Sequence, residues 1–176
     1  LDGKVSWAQI KIGIPISLQF SITSIGSMVL QTAVNGFGAN VIAGFTAAGR
    51  VEQLTNIPMS GLGVGNMTFV SQNYGAGKYD RILKSVKRIF ILDVIVSVFC
   101  SAILVGIGPF IVKLFMKEYN PEIMNAANHY LWAIAECYSL VAVLFVFRNT
   151  LQGLGFTYAN MIAGGGEFFG RLAVAL

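Results

Sequence analysis

Residues 12–36, IGIPISLQFSITSIGSMVLQTAVNG, form an apolar run long enough to cross a bilayer, and polar side chains recur along it at every fourth position. Gln19, Thr23, Ser27, Gln31 and Asn35 share one slowly winding face of a helix and, at 1.5 Å rise per residue, cover about 24 Å. The hydrocarbon of a membrane is about 30 Å thick. Unpaired amides in hydrocarbon cost several kcal/mol each, so the stripe must face other helices or a water-filled cavity. The stretch reads as part of a polar path through a membrane.

Composition agrees. Hydrophobic residues make up 55% of the 176 positions, charged residues 11%, and the mean hydropathy is +0.69. Soluble domains carry about 25% charged residues, so this chain lacks the polar surface to stay dissolved and the lipid bilayer is its expected surrounding. The 12 basic and 8 acidic residues leave +4. Lys78, Arg81, Lys84, Lys87 and Arg88 crowd into one short segment between apolar runs, which fits a membrane surface and no nucleic-acid partner. Cys100 and Cys137 lie inside apolar runs and read as packed thiols. The chain opens on Leu1 without a charged, cleavable leader and stops on RLAVAL within an apolar run. An internal piece of a larger protein is expected.

Hydropathy and punctuation give an all-α, polytopic bundle of about five spans, at residues 12–36, 45–73, 86–115, 123–149 and 158–176. Pro58 should bend the second span. Gly106-Ile107-Gly108-Pro109 should loosen the far end of the third, and Asn120-Pro121 should start the fourth. Lys4 and Lys11 lie on the same side as the basic loop, whereas the longer opposite loop balances Lys113 and Lys117 against Glu118 and Glu122. The positive-inside rule therefore makes residues 1–11 and 74–88 cytoplasmic.

The second span repeats the polar habit with Gln53, Asn56, Ser60 and Asn66, and Gly61, Gly63 and Gly65 offer close backbone approach. Arg50 and Glu52 lie near its outer end, where snorkelling is the bland reading. Asp93 in the third span and Glu136 in the fourth are ionisable groups at membrane depth and candidate proton-linked sites. As structural partners instead, Asp93 could pair with Arg88, and Glu136 with a neighbouring helix. Glu167 and Arg171 stand four apart, the favourable orientation for a helical ion pair. Together with Arg148 they fit packing or gating. Gly164-Gly165-Gly166 and Gly170 suit tight contact on the same helix. Catalytic patterns are missing: His129 is the only histidine, which leaves no histidine-based zinc cluster, and neither a nucleophile elbow nor H-E-x-x-H occurs. The chain does not read as an enzyme.

The order GIPISLQFSITSIGSMVLQ, AAGRVEQLTNIPMSGLGVGNMTFVSQNYGAGKYDRI, FRNTLQGLG and GGGEFFGR resembles the MATE multidrug and toxin extrusion transporters. The most telling pieces are S-Q-N-x-G-A-G at Ser71–Gly77 and R-N-x-L-Q-G-x-G at Arg148–Gly155. The likeness covers nearly the whole chain. It implies helices seven to ten and the start of eleven of a twelve-helix fold, with the N-terminal lobe of the same polypeptide as partner. It further implies export of small organic cations or drugs in exchange for H⁺ or Na⁺ by alternating access, with no cofactor beyond that ion. Where the NorM-type branch carries acids in helices seven and ten, this chain has Thr23 and a position near Val141. The resemblance is therefore closer to the DinF-like branch, whose key acid lies in the other lobe. The expected cavity wall is Gln19, Thr23, Ser27 and Gln31 with Gln53, Asn56 and Asn66. A flippase or exporter of lipid-linked glycans and a non-transporting membrane subunit are the alternatives; the first would need a more cationic cavity.

Overall fold

A computed structural model describes residues 3–116 and 119–175. Lys117 and Glu118, counted above in the charge balance of a loop, lie outside the described residues, as do the terminal Leu1, Asp2 and Leu176. The described residues form six helices: α1 (Gly3–Asn35), α2 (Ala39–Gly75), α3 (Tyr79–Gly106), α4 (Gly108–Phe115), α5 (Pro121–Gly153) and α6 (Thr157–Ala175). Of these, α1, α3 and α5 are long and apolar enough to cross a membrane.

The helices end where backbone chemistry requires it. At the α2–α3 turn, Gly77 has φ +69°; the Lys78 N–H reaches Asn73 O at 2.9 Å and the Gly77 N–H reaches Tyr74 O at 3.0 Å. At the α5–α6 turn, Gly155 has φ +86°, and the N–H groups of Phe156 and Gly155 bond Leu151 O and Gln152 O at 2.9 and 3.0 Å. Both are Schellman caps, in which a left-handed glycine lets two orphan carbonyls of the last turn be satisfied. They account for the glycines that close the two most telling motifs. Asn120 caps α5, its Oδ1 accepting the Glu122 N–H at 2.9 Å ahead of Pro121, as the sequence led one to expect.

The run expected over 86–115 is two helices. The break falls at Ile107, between Gly106 and Gly108, with Pro109 in the first turn of α4, where its missing N–H is harmless. α2 instead continues through Pro58, and α1 through Pro15.

α2 and α5 pack side by side and parallel, since Gly44 meets Ile123 and Gly153 meets Met67 further along both; α3 packs on both, and α4 closes one end of this group. Its core holds Val51, Met59, Leu104, Val112, Leu131, Tyr138 and Ala142. Glycines bring α2 and α5 together at both ends: a Cβ on Gly44 would fall 2.6 Å from Ile123 O, and one on Gly153 2.6 Å from Met67 O. Such contacts suit a membrane bundle, where tight van der Waals packing replaces the hydrophobic drive. α1 and α6 form a separate pair that touches the first group only lightly, through α2 and α5. Cys100 is buried, but Cys137 is exposed, because it sits about 100° around α5 from Tyr138.

Candidate solute cavity and its ion-pair network

The boundary between the α1/α6 pair and the α2/α5 pair encloses a cavity of about 450 Å³, lined by Gln19, Phe20, Ser60, Arg148, Asn149 and Asn160 among others. A second, more open depression of about 560 Å³ lies along α2 at Gln53, Asn56, Ile57, Ser60 and Gly61, and shares Ser60 and Val64 with the first. The spacing 53, 56, 60, 64, 67 follows helical periodicity, so one strip of α2 faces both depressions. Its other side carries Val51, Thr55, Met59, Gly63 and Val70 into the core.

The polar stripe of α1 is turned mainly toward α6. Gln19 is buried, and its Cγ lies 3.1 Å from where a Cβ on Gly164 would stand. Gly26 faces Phe168 and the Arg171 side chain. Ser27 Oγ accepts from Arg171 Nη1 at 2.6 Å and donates to Thr23 O at 3.1 Å. Gln31 donates to Asn35 Oδ1 at 3.1 Å. α1 and α6 run parallel, since Gln19 meets Gly164 and Ser27 meets Arg171 further along both. Of the proposed wall on α1, only Gln19 lines the cavity; Thr23 is half-buried, while Ser27 and Gln31 are satisfied by protein partners.

On α2, Gln53 is exposed and Asn56 half-buried in the open depression, while Asn66 is buried and donates to Thr150 Oγ1 at 2.9 Å. Asn66 therefore ties α2 to α5 and lines neither depression. Glu52 accepts the Tyr130 hydroxyl at 2.6 Å, so it is a cross-helix partner, not a snorkelling charge. Thr55 and Tyr138 share a hydrogen bond of 3.0 Å in the core. Of Gly61, Gly63 and Gly65, Gly63 alone is approached closely, by the Asn149 side chain; Gly61 and Gly65 face open space. In the same way Gly164 is crowded while Gly165, Gly166 and Gly170 are not.

The expected i, i+4 pair is present: Arg171 Nη2 lies 2.6 Å from Glu167 Oε1. Arg148 joins it from α5, with Nη2 3.3 Å from Glu167 Oε2. One carboxylate thus holds two guanidinium groups on two helices, in side chains 21–30% exposed. Arg148 O also accepts from Asn160 Nδ2 at 2.9 Å, while its buried Nε has no protein partner among the described residues. Asn160 was not anticipated; only its place shortly before the glycine triplet marked it out.

Asp93 is 1% exposed, and neither carboxylate oxygen has a hydrogen-bond partner among the described residues. The suggested pairing with Arg88 does not form. Arg88 is exposed, and a spacing of five puts the two about 140° apart on the helix. Glu136 is exposed on the outer surface of α5.

Comparison with known proteins bears on the whole arrangement. A family model described as MatE matches residues 15–171. The chain is 28% identical over 146 residues to the "Probable multidrug resistance protein YpnP" of Bacillus subtilis (strain 168), covering 83% of this chain and 32% of that protein. It is 24% identical over 166 residues to the "Multidrug export protein MepA" of Staphylococcus aureus (strain NCTC 8325 / PS 47), covering 94% and 34%. To the "Probable multidrug resistance protein NorM" of Thermotoga maritima it is 22% identical over 153 residues, covering 87% and 32%. The chain spans about a third of the length of these relatives.

Proposed function

The chain belongs to the MatE family of membrane transporters, and we propose that it forms part of the C-terminal lobe of a secondary active antiporter. The full protein would export organic cations or drugs in exchange for H⁺ or Na⁺ by alternating access, with an N-terminal lobe of the same polypeptide completing the cavity. Residues 1–11 and 74–88 face the cytoplasm in this reading, by the placement of the bases. The absence of carboxylates at Thr23 and Val141 supports a DinF-like kinship.

The observation that carries the proposal is the cavity between the two helix pairs. Amides and hydroxyls from Gln19, Ser60, Asn149 and Asn160 alternate there with Phe20, Phe145 and Met67. Such a wall holds flat amphiphilic solutes through apolar contact and a few polar anchors. Loose binding suits a transporter, which must release what it binds. An organic cation would favour the uncharged strip at Gln53, Asn56 and Ser60 over the Arg148 end. Glu167 with Arg148 and Arg171 serves as the tie across the boundary that must loosen when the helix pairs move. Asp93 is proposed as the proton-linked group of this part: it is buried with no hydrogen-bond partner among the described residues, whereas Glu136 faces outward.

Transport of a dye cation by the full-length protein in everted vesicles, with proton and sodium gradients imposed separately, tests the reading. Flux driven by either gradient supports it and names the ion. Absence of flux from folded protein overturns it. One observation favours the alternative of a lipid-linked glycan exporter: Arg148 lines the cavity, and the cluster it belongs to has one positive charge in excess. In that case an acidic headgroup, and no dye cation, would be moved.

A further inference from the structure

The basic segment between α2 and α3 has a shape that its charge count does not convey. Arg81, Lys84 and Arg88 lie at i, i+3 and i+7 on α3, one face of a helix. All three line a single depression of about 540 Å³ whose remaining wall includes Phe69 of α2 and Ile89 and Leu92 of α3. None of the three bases forms an ion pair among the described residues. The arrangement is graded along the helix. The bases occupy the first turns of α3, beside the Schellman turn at Gly77. Ile89 and Leu92 follow as the apolar run of the span begins.

We infer that this depression is a binding site for an anionic phospholipid, whose phosphate lies among Arg81, Lys84 and Arg88 and whose acyl chain lies on Phe69, Ile89 and Leu92. The order of the groups matches the order within a lipid. Positive charge stands where the headgroup region is, and an apolar trough begins about one helical turn deeper, at the edge of the hydrocarbon. Basic pockets between membrane helices attract acidic headgroups, each base near the surface adding about fivefold to the affinity. Arginine adds a bidentate geometry for phosphate that a bare field of charge lacks. The trough separates this site from one for a free anion, because inorganic phosphate gains nothing from Phe69, Ile89 or Leu92. It is distinct from the solute cavity and shares no residue with it, so it stands whether or not the transport reading does.

The test uses the full-length protein purified in a neutral detergent, with thermal unfolding and native mass spectrometry as readouts. Dioleoylphosphatidylglycerol, dioleoylphosphatidylcholine and inorganic phosphate are the probes. Phosphatidylglycerol is expected to raise the melting temperature and remain bound in the mass spectrum, whereas phosphatidylcholine and phosphate do neither. Replacing Arg81, Lys84 and Arg88 together by Gln should weaken phosphatidylglycerol binding roughly a hundredfold. The paired change Lys78→Gln and Lys87→Gln, outside the depression, should leave most of it. Arg88→Gln alone, a milder change, should show a partial loss if the triple variant does not fold. Equal protection by phosphatidylcholine overturns the site, as does an equal loss per charge removed in both sets of variants. Protection by phosphate alone would make it a site for a free anion and overturn the lipid.

Discussion

Replacing Glu167 by Gln should destabilise the protein more than replacing Arg148, which it holds across the boundary between the helix pairs. The cluster carries two guanidinium groups on one carboxylate, a formal charge of +1. Glu167→Gln raises this to +2 and keeps one neutral acceptor between two cations. The 2.6 Å contact to Arg171 and the 3.3 Å contact to Arg148 both lose their charge assistance. Charge-assisted hydrogen bonds are worth about 1.5–3 kcal/mol. Side chains 21–30% exposed place the hydrogen bond to Arg171 at the low end of that range, and the ion pair to Arg148 adds about 1 kcal/mol, so the change should cost about 2.5 kcal/mol. Arg148→Gln removes only the longer contact and brings the cluster to neutrality, at a cost of about 1 kcal/mol. In the double variant Glu167→Gln/Arg148→Gln the excess charge returns to +1, and the total should be about 2 kcal/mol, well under the sum of the single changes. Thermal or denaturant unfolding of the full-length protein measures the cycle. Costs for the single changes that are equal, or that add to within about 0.5 kcal/mol, would show that the two contacts act as independent surface pairs and refute the reasoning.

The remaining predictions concern glycines, the buried acid and the polar stripe. Gly153→Ala drives a Cβ to within 2.6 Å of Met67 O and should cost about 3 kcal/mol, the upper end for overpacking, by forcing α2 and α5 apart. Gly77→Ala meets nothing within 4 Å and should cost only about 1 kcal/mol, for its positive φ; unfolding that ranks them the other way would contradict the packing described. Asp93→Asn keeps the shape of the side chain but cannot carry the proposed coupling proton, so proton-driven dye flux in everted vesicles should fall about a hundredfold, the low end for losing an acid–base group; unchanged flux removes Asp93 from the coupling. Gln19→Leu should impair transport while Gln31→Leu spares it, because Gln19 lines the cavity and Gln31 is bonded to Asn35. Survival of both transport and expression in both variants would reduce the stripe to packing.

The helices were legible because apolar length and turn punctuation are local properties. The break at Ile107 lies at the Gly-Ile-Gly-Pro stretch that marked it, and Asn120-Pro121 begins α5. Periodicity also located the stripe on α1, but the wall expected on α2 divides: Gln53 and Asn56 line the open depression while Asn66 turns to Thr150. Periodicity could not say what covers each face, which depends on residues more than a hundred positions away: the partner of Ser27 is Arg171, and that of Gln19 is Gly164. The glycines show the same limit. All three of Gly61, Gly63 and Gly65 permit close approach, but on a helix they point in different directions, and only Gly63 has α5 beside it. Gly77 and Gly155 are required for a reason that needs no neighbour at all, the positive φ of their turns.

The arrangement of polar side chains bears on how such a piece could move. Within the α2/α3/α5 group, polar residues are joined in pairs across helices: Glu52 to Tyr130, Thr55 to Tyr138, Asn66 to Thr150, and Ser101 to the Ala135 carbonyl. Within the α1/α6 pair the equivalent tie is Ser27 to Arg171. Between the two groups the described polar ties converge on Arg148, through its guanidinium to Glu167 and through its carbonyl to Asn160. Glycine-mediated contact at Gly44 and Gly153 holds α2 to α5 through backbone, which resists shear because neither side can yield. The Gln19–Gly164 contact, made by a flexible side chain, lies within the other pair. Sliding α1 and α6 together therefore disturbs few hydrogen bonds and no backbone-to-backbone seat, whereas separating α2 from α5 disturbs both. The cavity lies along the boundary that is least costly to open, and that coincidence, more than the polarity of any one residue, supports the proposed alternating access.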